Sequence, residues 1–186
     1  MRSLFASDPL ANPEPLIRRV YAFAAYRLGD GPDAEDVTSE VFERALRYRD
    51  SYDRSKGEPV AWLLGIARSC TSAALAARAN NPATVHDSPE IGTPGFEDDS
   101  VRRLSLAPAL AQLAERDQEL VALRFGADLT AAQMAQILVS KTNTVEVALH
   151  RALARLRSIL ESEGEHEQSA ADPRKPSARA GSPEHA

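Results

Sequence analysis

Residues 129–152 read LTAAQMAQILVSKTNTVEVALHRA. Two short helices joined by a tight turn fit this stretch. Thr130 followed by Gln133 is a capping box, in which the hydroxyl and the glutamine side chain satisfy each other's backbone amides. Met134, Ile137 and Leu138 then recur at helical spacing and predict one apolar face. The turn is expected near Val139 to Thr142. A second helix is expected to start at Thr142 or Asn143, either of which can cap it. Val145, Leu149 and Leu153 form its inner face, and the pattern runs on through Leu156. This is the layout of a helix-turn-helix, whose second helix can enter the major groove of DNA. An ordinary helical hairpin inside a bundle has the same periodicity.

Charge around this stretch separates the two readings better than the total does. The 186-residue chain has 22 basic and 27 acidic residues, a net charge of -5, so any contact with nucleic acid must be local. Residues 1–78 carry eleven acids and eleven bases, and residues 79–101 five acids and no base. Residues 102–160 carry five acids and eight bases, and the tail from 161 six acids and three bases. The lobe with the helix-turn-helix pattern is thus the basic one, as phosphate contact requires. The single cysteine, Cys70, excludes an internal disulfide and a cysteine-rich metal site. In its helical pattern it reads as a small buried hydrophobe. No apolar run approaches the roughly 18 residues of a bilayer span, and the first fifteen residues are too weakly apolar for a signal peptide. A cytoplasmic protein is expected.

Upstream of the basic lobe the pattern is helical throughout. Asn12-Pro13-Glu14 starts a helix carrying Leu16, Ile17, Val20, Phe23 and Ala24, which Gly29 stops. Gly31-Pro32 opens a second, with Asp33 as cap or first-turn acid. Val37, Val41, Ala45 and Tyr48 make its inner face, widened by Phe42 and Leu46. Asp36, Glu40 and Glu43 lie opposite. Acids early in a helix favour its dipole, and the same face could dock a basic partner. After a polar loop, Asp50 to Gly57, a third helix follows Glu58-Pro59. Val60, Leu63, Leu64, Ala67, Cys70 and Ala74 face inward, and Trp62 is offset. Residues 80–100 combine prolines, glycines and unopposed acids, which predicts a flexible linker and the best domain boundary. Helical pattern resumes at Val101, with Leu104, Leu106, Leu110 and Leu113 before a break near Ala114. Asp117 to Phe125 forms another helix, and the last one is expected to fray after Leu160. Residues 161–186 have few apolar side chains and are expected to be disordered. No strand pattern and no internal repeat appear. The expected fold is all-α, two small helical domains (12–79 and 101–160) joined by an acidic linker (80–100), with a tail (161–186).

Four segments in this order resemble the extracytoplasmic-function (ECF) sigma factors, the smallest members of the bacterial sigma family. They are DAEDVTSEVFERALR (Asp33–Arg47), AWLLGIAR (Ala61–Arg68), LAERDQELVALRF (Leu113–Phe125) and the pair LTAAQMAQIL and NTVEVALHRALARLR within Leu129–Arg157. The likeness covers roughly residues 12–160. It implies a sigma region-two domain, a region-four domain, and partners: core RNA polymerase through the clamp helices of its largest subunit, promoter DNA, and an anti-sigma factor. By the resemblance, Asp33, Asp36, Val37, Glu40, Val41 and Phe42 dock on polymerase. Tyr52, Trp62, Arg68 and Arg78 serve the minus-ten element, where melting traps an unstacked base. Lys141, Asn143, Thr144, Val147, His150 and Arg151 read the minus-thirty-five element. The acidic linker lies in a basic polymerase channel. Neither a cofactor nor membrane insertion is implied.

The chain departs from the family's pattern in both DNA-reading helices. The third helix usually continues with an asparagine, an aspartate and several arginines, whereas here residues 69–78 read SCTSAALAAR. Glycine usually stands at Val139, and lysine and arginine at Glu146 and Ala148. These losses predict weak promoter binding without polymerase. They also leave open a degenerate sigma-like or helix-turn-helix regulator that does not open promoters. An enzyme is not expected. The histidines (His86, His150, His166, His185) are not spaced with carboxylates or Cys70 as a metal or nucleophile site requires, and no glycine-rich phosphate loop is present.

Overall fold

A computed structural model describes residues 8–80 and 106–170. The expected linker (80–100) lies outside the described residues apart from Asn80, as does the tail from 171. Among the described residues there is no strand.

In the first lobe, α1 runs Pro13–Leu28, with proline in its first turn and Gly29 at φ 91° ending it. Glycine adopts that left-handed backbone without a Cβ penalty. Helix α2 runs Pro32–Arg47 from Gly31, so Asp33 is a first-turn acid and not the cap. Two 3₁₀ turns, Arg49–Ser51 and Arg54–Lys56, shape the loop before α3 (Pro59–Asn80). The three helices pack pairwise on one another. Val20, Phe23, Ala24, Val37, Val41, Ala45, Leu63, Leu64 and Ala67 are buried between them. Some expected core residues face water. Ile17 is exposed, and so are Leu46 and Tyr48 at 59% and 56%. Leu46 sits about 140° around α2 from Val41, at 100° per residue. Tyr48 follows the last helical residue, so the period that placed it inward no longer applies.

Helix α3 corrects the expectation about apolar runs. At 22 residues with a hydropathy of 1.4 it is long and apolar enough, by composition, to cross a bilayer. Its Val60, Leu63, Leu64, Ala67, Cys70 and Thr71 are buried instead against α1 and α2, as a core helix requires. Cys70 is 1% exposed, and burial, reinforced by nearby Glu40, pushes its thiol pKa up, opposed by Arg44. The folded state therefore holds the proton more tightly, and stability falls as pH rises above the ordinary thiol range. Alkylation of the native chain by iodoacetamide near pH 8 is expected to be at least about 10-fold slower than that of the urea-unfolded chain, since only exposed thiolate reacts. Equal rates would place Cys70 at the surface.

The second lobe begins with α4, described over residues 106–111, then α5 (Glu115–Val121). The expected helix to Phe125 changes character at Ala122: residues Ala122–Gly126 form a π turn. Helix α6 is Ala131–Ile137, and its capping box is present on Thr130 and Gln133. Helix α7 is Thr142–Ala170. Its first flanking carbonyl is that of Lys141, which accepts from the Val145 amide, so Thr142 and Asn143 are both already helical. The end expected at Leu160 is corrected as well. Arg157 pairs with Glu161 one turn on, and the glutamates and alanines beyond are strong helix formers although not apolar. Arg155 bonds Asp117 at 2.6 Å and ties α7 to α5.

The turn between α6 and α7 holds a strained residue. Val139 has φ 50° and is 93% exposed. A β-branched residue in the left-handed region costs about 1–2 kcal/mol, and no packing offsets it here. Val139→Gly is expected to stabilise the chain by about 0.5–1 kcal/mol after the extra chain entropy of glycine, raising Tm by about 1–4 °C. A lowered Tm in a thermal melt would show that the valine side chain makes a contact that matters.

The two domains pack on each other and share a core. Leu120, Ala122, Leu123, Ala127, Leu129, Met134, Ala135 and Val145 of the second lobe join the first lobe's cluster. The most extensive contact between the lobes is α1 against the π turn. A smaller cluster of Ala109, Leu110, Leu113, Val121, Ala152 and Leu156 closes the far side.

Candidate nucleic-acid interface

Helix α7 seats its apolar side and presents a polar one. Val145, Ala152 and Leu156 are buried, with Leu149 and Leu153 partly so. On the opposite side Asn143, Val147 and His150 follow at i, i+4 and i+7, and Thr144 and Arg151 stand beside them. All five are exposed, and Lys141 is exposed at the helix start. The six residues expected to read the minus-thirty-five element therefore form one solvent-facing surface at the positive end of the helix dipole. Glu146 is exposed at its edge and is the one negative charge there. The arrangement offers an amide for adenine, apolar contact for a thymine methyl, and cations for phosphate.

Of the residues assigned to the minus-ten element, Tyr52 and Trp62 come together, and Arg68 and Arg78 lie apart from them. Tyr52 and Trp62 are half-buried neighbours, their ring centroids 5.5 Å apart and tilted by 54°. The Tyr52 hydroxyl donates to the Gly57 carbonyl at 3.0 Å, bracing the loop. Arg68 lies about 120° around α3 from Trp62. Its Nε donates to Glu119 Oε1 at 2.7 Å and its Nη1 to the Ile137 carbonyl at 3.1 Å, both in the second lobe. Arg78 is about 24 Å further along the axis than Trp62. It donates to Asp33 Oδ2 at 2.7 Å through Nε and to the Leu28 carbonyl at 2.8 Å. Arg78 thus clasps α3 to the start of α2.

The same clasp occupies Asp33 on the α2 side. Val37 and Val41, expected to dock on a partner, are 4% and 0% exposed and fill the core, so they hold α2 in place without reaching a partner. Asp36 is exposed, while Glu40 and Phe42 are half-buried and Glu40 is paired with Arg44. Glu43 and Leu46 extend this acidic face with one exposed apolar residue, which the inward placement of Leu46 had hidden. Among the described residues no group of histidines, cysteines and carboxylates is placed to hold a metal ion.

Two family descriptions match these lobes: Sigma-70 region 2 over residues 14–80 and Sigma-70, region 4 over residues 109–158. The ECF RNA polymerase sigma factor BldN of Streptomyces coelicolor is 30% identical over 151 residues, 76% of this chain but only 56% of BldN, so the chain spans little more than half of that relative. The ECF RNA polymerase sigma factor SigL of Mycobacterium tuberculosis is 30% identical over 149 residues, 78% of this chain and 84% of SigL. The fold is similar to that of the sigma factor RpoE, solved with the anti-sigma factor NepR from Bartonella quintana. The TM-score is 0.58 at 21% identity, covering 78% of this chain and 92% of that one.

Proposed function

The chain belongs to the ECF RNA polymerase sigma factors, and we propose that three of its surfaces divide the work of promoter recognition. As a sigma factor it binds core RNA polymerase and promoter DNA and directs transcription initiation. Its role is regulatory; bond formation in RNA synthesis belongs to the polymerase it serves. A cytoplasmic location follows from that work. An anti-sigma factor is among its partners, as NepR is for the similar RpoE.

The acidic face of α2, led by Asp36 with Glu40, Glu43 and Leu46, is the polymerase-docking surface. Asp36 and Glu43 are exposed, and Glu40 half-buried, on one side of a helix whose other side is locked in the core. The Tyr52–Trp62 pair and Arg68 serve the minus-ten element, the rings as a stacking platform beside the loop and the guanidinium as a phosphate contact. The exposed side of α7 reads the minus-thirty-five element in the major groove. That side is the observation that carries the reading. Six polar or methyl-bearing contacts stand together on a helix, backed by Val145, Ala152 and Leu156.

Co-elution with bacterial core polymerase tests the docking assignment. Asp36→Arg combined with Glu43→Arg reverses two exposed charges on the face and is expected to weaken association by about 10-fold or more. Unchanged co-elution would remove the α2 face from the docking surface.

A further inference from the structure

Two departures from the family's pattern stand in α7, Glu146 and Ala148, and the fold gives them different places. Ala148 is half-buried against the shared core. Glu146 is exposed. At 100° per residue it lies about 60° from Asn143 and about 40° from His150 around the helix, on the flank of the reading side next to both. Its charge is also treated unlike the others in this lobe. Between residues 106 and 162, Glu115, Asp117, Glu119, Asp128 and Glu161 each pair with an arginine. The Glu146 carboxylate has no hydrogen bond or ion pair among the described residues.

A bare carboxylate on a surface that meets phosphates lowers affinity, unless a donor on the DNA offsets the repulsion. The major groove limits what that donor can be. An ionised carboxylate only accepts hydrogen bonds. Guanine presents two acceptors there, thymine an acceptor and a methyl group, and adenine an acceptor beside its amino group. Cytosine presents its N4 amino group and no acceptor of its own. Glu146 also stands at the right depth. It is the fifth residue of α7, and the N-terminal residues of a recognition helix are the ones that reach base edges. From Asn143 to Glu146 the helix rises about 4.5 Å, a little over one base-pair step of about 3.4 Å. The two side chains therefore address neighbouring base pairs.

We propose that Glu146 selects cytosine in the minus-thirty-five element, its carboxylate accepting from the N4 amino group one base pair from the position that Asn143 addresses. Opposite any other base the carboxylate meets an acceptor and is repelled, so the residue lowers affinity in general and narrows the choice of promoter. This statement rests on α7 being the helix that reads the minus-thirty-five element.

The test uses core polymerase assembled with the full chain, transcribing a pool of templates randomised over the minus-thirty-five element. Sequencing the transcribed templates gives the preference at each position. The wild type is expected to favour cytosine at one position by about 10-fold over other bases. Glu146→Ala should reduce that preference to within about twofold, by rising on the other bases and changing least on cytosine. Glu146→Gln should move the preference at the same position to adenine, and Glu146→Lys should move it to guanine, since an amide pairs with adenine and a cation with guanine. A glutamate that only faces solvent produces no such movement. A wild type with no cytosine preference, or variants that rise equally on every template, would overturn the proposal; preferences retained at other positions would then leave α7 as the reading helix. Initiation with no base preference at any position would overturn the reading of α7 and the proposal with it. No initiation from any chain would overturn the sigma reading itself.

Discussion

Phe23→Ala is expected to destabilise the whole described body by about 3–5 kcal/mol, the largest single effect of any side chain in α1. Phe23 is 1% exposed and sits in the core that the two lobes share. Truncation leaves a cavity lined by helices that are pinned on both sides, so little of it can collapse. Against a typical total of about 5–15 kcal/mol, that loss removes roughly a fifth or more of the stability. Because Leu120, Leu123 and Met134 belong to the same cluster, both lobes should lose stability together, in one urea transition shifted to lower concentration. A transition that splits, with the second lobe melting where it did before, would show that the lobes fold separately and that the shared core is not cooperative.

The second large effect concerns the reading side of α7. Asn143→Ala combined with Arg151→Ala is expected to lower occupancy of a minus-thirty-five element by about 2–5 kcal/mol, an amide–adenine pair and a phosphate contact being lost together. Transcription by the assembled polymerase from promoters with intact and scrambled minus-thirty-five elements measures it: the double variant should no longer tell them apart. The fold should be untouched, since both side chains are exposed. Glu146→Ala, on the edge of the same surface, should act in the opposite direction by removing a charge that repels phosphate. If the double variant discriminates as well as the wild type, α7 is not the reading helix.

Much of this architecture is legible in the residues, for a reason that also marks where reading stops. Helix starts and stops depend on neighbours in sequence. Pro13, Gly29, Gly31 and the Thr130–Gln133 box are therefore found where local chemistry puts them. The proposed reading surface is equally local, because one helix carries all of it after Lys141. The misplacements are tertiary. Leu46 and Tyr48 were assigned inward by a stripe drawn too wide and too long. The partner of Arg78, Asp33, is 45 residues away. The partner of Arg68, Glu119, is 51 residues away. No periodicity announces such pairs, nor the contact of Gly126 with Ala22. Val37 and Val41 show the converse. The resemblance placed them on the helix proposed to dock, but a helix docks with one side and is held by the other.

The central claim, that this chain gives bacterial RNA polymerase its choice of promoter, is tested most directly by mapping the 5′ ends of transcripts made by purified core polymerase with and without the chain. The account predicts that adding the chain produces new, discrete start sites, each preceded by a shared pair of upstream elements at constant spacing. Start sites identical to those of core polymerase alone, at a concentration of chain that saturates association, would contradict it.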